Sequence, residues 1–192
     1  MPCGPVDDLG ITMDELRAVV RFALESAEPL LAVFEAEHGH DERPRAAVDA
    51  ARLFVDGQER SRLQRVTSLD AHRAARDATG ELARCAAHAA GDAAAAAYLH
   101  PPLQVAGWAS QIARETQVGH ILRPAAHAAR VAELLSDDER STGHAHIERT
   151  YRRSPSDVAD IVGRYPPIAE RKGRITELMV ILDSRFRTGR KE

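Results

Sequence analysis

Cysteine is almost missing from this chain: Cys3 and Cys85 are the only two, and no metal-ligand spacing joins them. That excludes a disulfide framework and a cysteine-built zinc site, and it points to a reducing, cytoplasmic setting. Aromatic residues make up 4% of the sequence and valine and isoleucine are sparse, so the residues that favour pleated strands are in short supply. No apolar run is long enough to span a bilayer, and the opening Met-Pro-Cys-Gly-Pro-Val-Asp-Asp lacks both a basic n-region and an apolar h-region. Neither a membrane association nor a secretory leader is expected. Motifs that carry catalysis are missing as well. There is no Gly-x-Ser-x-Gly, no glycine-rich phosphate loop, no dinucleotide fingerprint and no His-Glu-x-x-His. The carboxylate pairs Asp7-Asp8 and Asp137-Asp138 fall in expected loops, where adjacency reflects solvation. The reading is that the chain is not an enzyme and needs no cofactor or metal.

What the chain has in abundance is alanine, 34 of its 192 residues. Alanine loses no side-chain entropy in a helix, which favours an all-α fold. The length suits one domain: a terminal segment over 1–11 expected to be flexible, a helical domain over 12–187, and a frayed end over 188–192. The stretch 83–100 reads as one central alanine-rich helix of a multi-helix bundle. At 100° per residue Ala86, Ala87, Ala90, Ala93, Ala94 and Ala97 share one arc, while Arg84, His88, Asp92 and Leu99 line the opposite stripe. The methyl face allows close helix approach, or homodimerisation, with His88 and Asp92 emerging on the other side.

Helix signals recur along the rest of the chain. Thr12 and Glu15 form a capping box ahead of Leu16, Val19, Val20 and Ala23, and Pro29 kinks or restarts that helix. Asp41 with Pro44 opens a second helix that Gly57 closes. A third helix covers about 59–78, with Leu63, Val66, Ala71, Ala74 and Ala78 on its apolar side. A short segment near 105–115 puts Trp108 in the core. A helix from Thr116 to Leu135 is interrupted by Pro124, another follows Ser154-Pro155, and the last starts after Gly173.

Charge is unevenly spread. Residues 1–60 hold 13 acidic and 6 basic residues, and 150–192 hold 6 and 10. An acidic first third breaks the coherent basic footprint that nucleic acid requires. On the second helix Arg45, Asp49, Arg52 and Asp56 alternate in sign along one face, either as a solvated ladder or as a partner surface. On the third, Arg62, Arg65, His72, Arg73 and Arg76 lie within a narrow arc, suited to an acidic partner or to pairing with the first two helices.

Nine histidines raise the question of a metal. His38-x-His40 and His144-x-His146 are read as loop pairs. His72, His88, His120 and His127 with Asp92 could assemble a site across helices, or be satisfied by ordinary hydrogen bonds.

Five runs occur in order: 16–23, Asp41-Glu42-Arg43-Pro44-Arg45, Asp70-Ala71-His72-Arg73-Ala74-Ala75-Arg76, 89–101 with Gly91-Asp92, and 116–122. In this series the chain resembles the immunity-family-five-like (Imm-5-like) bacterial proteins over roughly 12–182, with 104–115 as an insertion. The resemblance implies an all-helical domain that binds a cognate protein toxin and keeps it inactive. Arg45, Asp49, Arg52, His72, Arg73, Arg76, His88 and Asp92 are the candidate partner-binding residues. The competing reading is a metal- or ligand-binding helical hydrolase built on the histidines and carboxylates.

Overall fold

The computed structural model describes residues 11–99 and 109–189, without the side chains of 109–115 and Glu139. Every regular element among the described residues is helical. In chain order they are α1 (Met13–Ala27), a 3-10 turn (Glu28–Leu30), α2 (Leu31–His38), α3 (Arg43–Val55), α4 (Arg62–Asp77), α5 (Glu81–Ala95), a second 3-10 turn (Ala96–Tyr98), α6 (Ala109–Leu134), α7 (Glu139–Arg153), α8 (Ser156–Gly163) and α9 (Arg174–Thr188).

Local chemistry sets most boundaries. The Thr12–Glu15 capping box forms as expected: the Glu15 N–H donates to Thr12 Oγ1 at 3.2 Å and the Thr12 N–H donates to Glu15 Oε2 at 2.7 Å. Ser61 and Gln64 build the same device at α4, so this helix begins at Arg62 rather than near 59. At Pro29 the chain tightens into 3-10 geometry before α2 restarts.

Helix α5 is the axis of the fold and packs against α1, α2, α3, α4 and α6. Ten of its fifteen residues are buried, and its exposed polar residues are Glu81 and Arg84 in the first turn. This corrects the sequence reading: the stripe carrying His88 and Asp92 turns inward onto α4 and α6, and the methyl face is consumed within the chain. That face is not available for a dimer. The helix also ends earlier, at Ala95, before the 3-10 turn. Its alanines join Leu16, Phe22, Phe34, Phe54, Ile121, Leu122, Leu178 and Leu182 in one buried cluster, and Ile11 is buried in it too.

Three further expectations are corrected. Pro124 does not interrupt α6, which runs unbroken from Ala109 and takes in the end of the supposed insertion. Residues 139–153, unassigned from the sequence, are helix α7, so His144 and His146 lie on a helix, and His38 is the last residue of α2. On α4 the buried side consists of Gln64, Thr67, Ser68, Ala71, Ala74 and Ala75, while Leu63 and Val66 face outward. Trp108 lies outside the described residues.

A buried carboxylate pins the second half. Glu133, fully buried, is held by the Arg174 guanidinium at 2.6 Å and by Arg130 at 3.1 Å, joining α6 to α9. Gly143 makes the approach of α7 possible, because a Cβ there would sit 1.8 Å from Glu133 Oε1.

Candidate functional site

Polar residues have taken the inner side of α4. Gln64 is buried because its amide donates to the Ala50 carbonyl at 3.1 Å while its oxygen closes the cap, and the Thr67 hydroxyl donates to the Leu63 carbonyl at 2.9 Å. With their hydrogen bonds met, these side chains leave Leu63, Val66 and Leu69 on the surface, 45%, 40% and 51% exposed. Three aliphatics in two turns of one helix form a patch rather than scattered apolar atoms. Arg65, Arg73 and Arg76 flank it. Asp70 pairs with Arg73 at 2.6 Å and Asp77 with Arg43 at 2.8 Å, whereas Arg62, Arg65 and Arg76 have no acidic partner among the described residues.

Behind this patch lies a polar cluster drawn from three helices. His72 comes from α4, His88 and Asp92 from α5, and His120, Arg123 and His127 from α6. Spacing explains the convergence: residues four apart on α5, and three and four apart on α6, share a helix face. Asp92 is fully buried, and its Oδ1 accepts from Arg123 Nη1 and from His120 Nδ1, both at 2.7 Å. A carboxylate only accepts, so His120 carries its proton on Nδ1. His72 reaches the same oxygen through Nε2 at 3.8 Å and meets His88 through Nδ1 at 3.1 Å. His88 stacks on His127 with centroids 5.5 Å apart and planes 10° apart. Gly91 admits His72, since a Cβ there would stand 2.9 Å from its ring.

Electrostatics fixes the protonation. Burial alone would raise the Asp92 carboxyl, but Arg123 and His120 outweigh it and hold the group below the usual carboxylate range. Burial pushes His127 down to about 3, and burial also lowers His72 and His88. The cluster therefore sets one carboxylate and one guanidinium against the neutral imidazoles of His72, His88 and His127. Asp92 Oδ2 and both His127 nitrogens have no hydrogen-bond partner among the described residues. Burial pushes the Cys85 thiol up to about 11, which removes it as a nucleophile. Among the described residues no three His, Cys, Asp or Glu side chains are arranged to hold a metal ion.

Two clefts open beside the cluster and share Leu69 and His72. The larger, about 770 Å³, lies over His88 and His127 with Arg76, Arg84 and Arg123 around it, and the smaller, about 510 Å³, lies over His120 with Arg65 and Tyr98.

The eight residues proposed from the sequence therefore occupy three environments. Arg73 and Arg76 are on the exposed α4 face. His72, His88 and Asp92 belong to the interior cluster, and Asp92 is out of reach of any partner. Arg45, Asp49 and Arg52 lie on the outer side of α3, engaged with neighbours: Arg45 with Glu35 at 2.6 Å, and Arg52 with Glu28 and with Asp49 at 3.0 Å. The sequence pattern does not single out Arg123. Its only sequence signal is its place between His120 and His127 on one helix face.

Residues 10–101 match the family model described as Imm-5 like putative immunity protein. The Imm-5 like stretch spans α1 to α5, so it contains the α4 patch, His72, His88 and Asp92. His120, Arg123 and His127, together with the run 116–122, lie beyond it. The comparisons with curated proteins and with solved structures found no match. Among the described residues no helix is long and apolar enough to cross a membrane.

Proposed function

We propose that this chain is an immunity protein that binds a cognate protein toxin one to one and neutralises it without turnover. The observation that carries the reading is the inverted α4 helix, whose inner side is made of hydrogen-bonded polar residues and whose outer side exposes Leu63, Val66 and Leu69 between arginines. An apolar centre with a charged rim is the layout of a protein–protein contact, and arginine is among the residues that contribute most to such contacts. The Imm-5 like match over the same segment supports a toxin as that partner. This reading moves the contact surface away from Arg45, Asp49 and Arg52, whose charges are met within the chain, and keeps Arg73 and Arg76.

The test is co-expression with the variable C-terminal domain of a toxin encoded beside this chain's gene. Wild type is expected to restore growth and to co-purify with the toxin domain at a 1:1 ratio. The combined variant Leu63→Ala, Val66→Ala, Leu69→Ala, with an unchanged circular dichroism spectrum, should lose at least 100-fold in affinity, about 2.7 kcal/mol. A toxin that still kills despite abundant folded wild-type protein would refute the function. Full protection by the triple variant would refute the site.

A further inference from the structure

The larger cleft and the α4 face have a common electrostatic character, and it narrows the chemistry of whatever docks there. Around the cleft stand Arg76, Arg84 and Arg123. Glu81, the one carboxylate at its rim among the described residues, is taken by Arg130 at 2.9 Å. Asp92 sits behind the floor with its Oδ1 already occupied by Arg123 and His120. Among the described residues, what remains open to a visitor is a pair of guanidinium donors: Arg76, which has no acidic partner, and Arg84, which is bonded to the Thr79 carbonyl at 3.2 Å, while His127 is buried beneath them. A cation would meet guanidinium groups, and the imidazoles are not arranged to compensate. An anion would find donors and, among the described residues, no competing free acid.

We infer that the partner presents an acidic surface to α4 and inserts one of its carboxylate side chains into the cleft between α4, α5 and α6. The inference rests on the toxin-binding reading and specifies the toxin surface that is covered. Charge complementarity and the aliphatic patch argue together for an acidic protein surface: Leu63, Val66 and Leu69 favour an apolar contact, and the exposed α4 face offers no aromatic platform on which bases could stack. A toxin that grips nucleic acid does so through a basic cleft, and a basic face cannot cover a basic cleft, so the α4 surface blocks a toxin elsewhere than at a phosphate-binding site.

Two probes separate this inference from the function it rests on. The first is the neighbouring toxin domain in a binding-kinetics assay against wild type, the pair Arg76→Glu, Arg84→Glu, and a distant control, Arg152→Glu on α7. The cleft pair should slow association at least 10-fold and weaken its salt dependence, with the control unchanged. A Glu→Lys or Asp→Lys change in the toxin should restore part of the loss. The second probe is fluorescence anisotropy with an acidic Glu/Leu helical peptide, a matched Lys/Leu peptide and a single-stranded oligonucleotide. The acidic peptide should bind best, and the cleft pair should abolish that preference. If wild type binds the toxin and the cleft pair binds equally well, the inference fails while the function stands. If the toxin is not bound but the acidic peptide is, in a cleft-dependent way, the function fails and the acidic specificity stands. A preference for the oligonucleotide, or no binding of either probe, overturns the inference.

Discussion

At the scale of single residues the decisive fact is that Asp92 is ionised at zero exposure. Such a charge persists only because Arg123 and His120 both point at it, and removing one member of a buried pair costs more than the pair contributes. Asp92→Asn is therefore expected to lower unfolding free energy by about 3–5 kcal/mol in urea titration, because Arg123 loses its counter-charge in a half-buried place. The neutral histidines make a second prediction, on pH. An unfolded histidine takes up a proton near 6.5, whereas His127 resists until about 3 and His146, lowered by burial, until about 4. Between those values the unfolded chain binds more protons, so stability is full above about 6.5 and falls as pH drops, by at most about 1.4 kcal/mol per pH unit for each group. Asp92, lowered in the fold, adds to the loss only at more acid pH, below its ordinary value. Thermal melts at pH 7.5 and 5.0 should show the decline, and His127→Leu should flatten part of it. A melt that rises on acidification would contradict the neutral assignment.

At the scale of elements, two glycines illustrate how helix packing depends on single atoms. Gly143→Ala would improve helix propensity by up to about 1 kcal/mol in isolation, yet its Cβ would lie against Glu133, so the variant is expected to be net destabilised by calorimetry. A higher melting temperature would show that α6 and α7 are free to separate. The same atoms explain what could be read in advance. Capping boxes, proline restarts and alanine stripes are local signals, and α1, α3, α4 and α5 were legible from them. Helix α7 was not, because Ser141, Thr142, Gly143 and His144 are weak helix formers whose segment is held in place by tertiary packing. The orientation of α4 was misread for a related reason. Periodicity ranks Leu63 and Val66 above Gln64 and Thr67 for burial, and only the distant Ala50 carbonyl reveals why the glutamine goes inside. For the site, spacing placed His88 beside Asp92 on one face, but that the face turns inward is decided by α4 and α6, which no local pattern records.

Across the whole molecule the two exposed charged faces differ in kind, and that difference can locate the interface. The α3 face is bound to the chain itself through Glu28, Glu35 and Asp49, so a partner docking there would have to break existing pairs whose gain in water is small. The α4 face has aliphatics in contact with water and, beside the paired Arg73, three arginines, Arg62, Arg65 and Arg76, with no acidic partner among the described residues, so covering it removes apolar area and satisfies donors at once. Hydrogen exchange of the toxin complex against the free protein should consequently slow in residues 62–77 and in the first turns of α5, where amides near Arg84 and His88 border the cleft, with residues 43–55 unchanged. The interior of α5, enclosed by five helices, should already exchange only through global unfolding in the free protein and so show no further change. Protection concentrated on 43–55 instead would return the interface to Arg45, Asp49 and Arg52 and leave the exposed leucines of α4 without a role in binding.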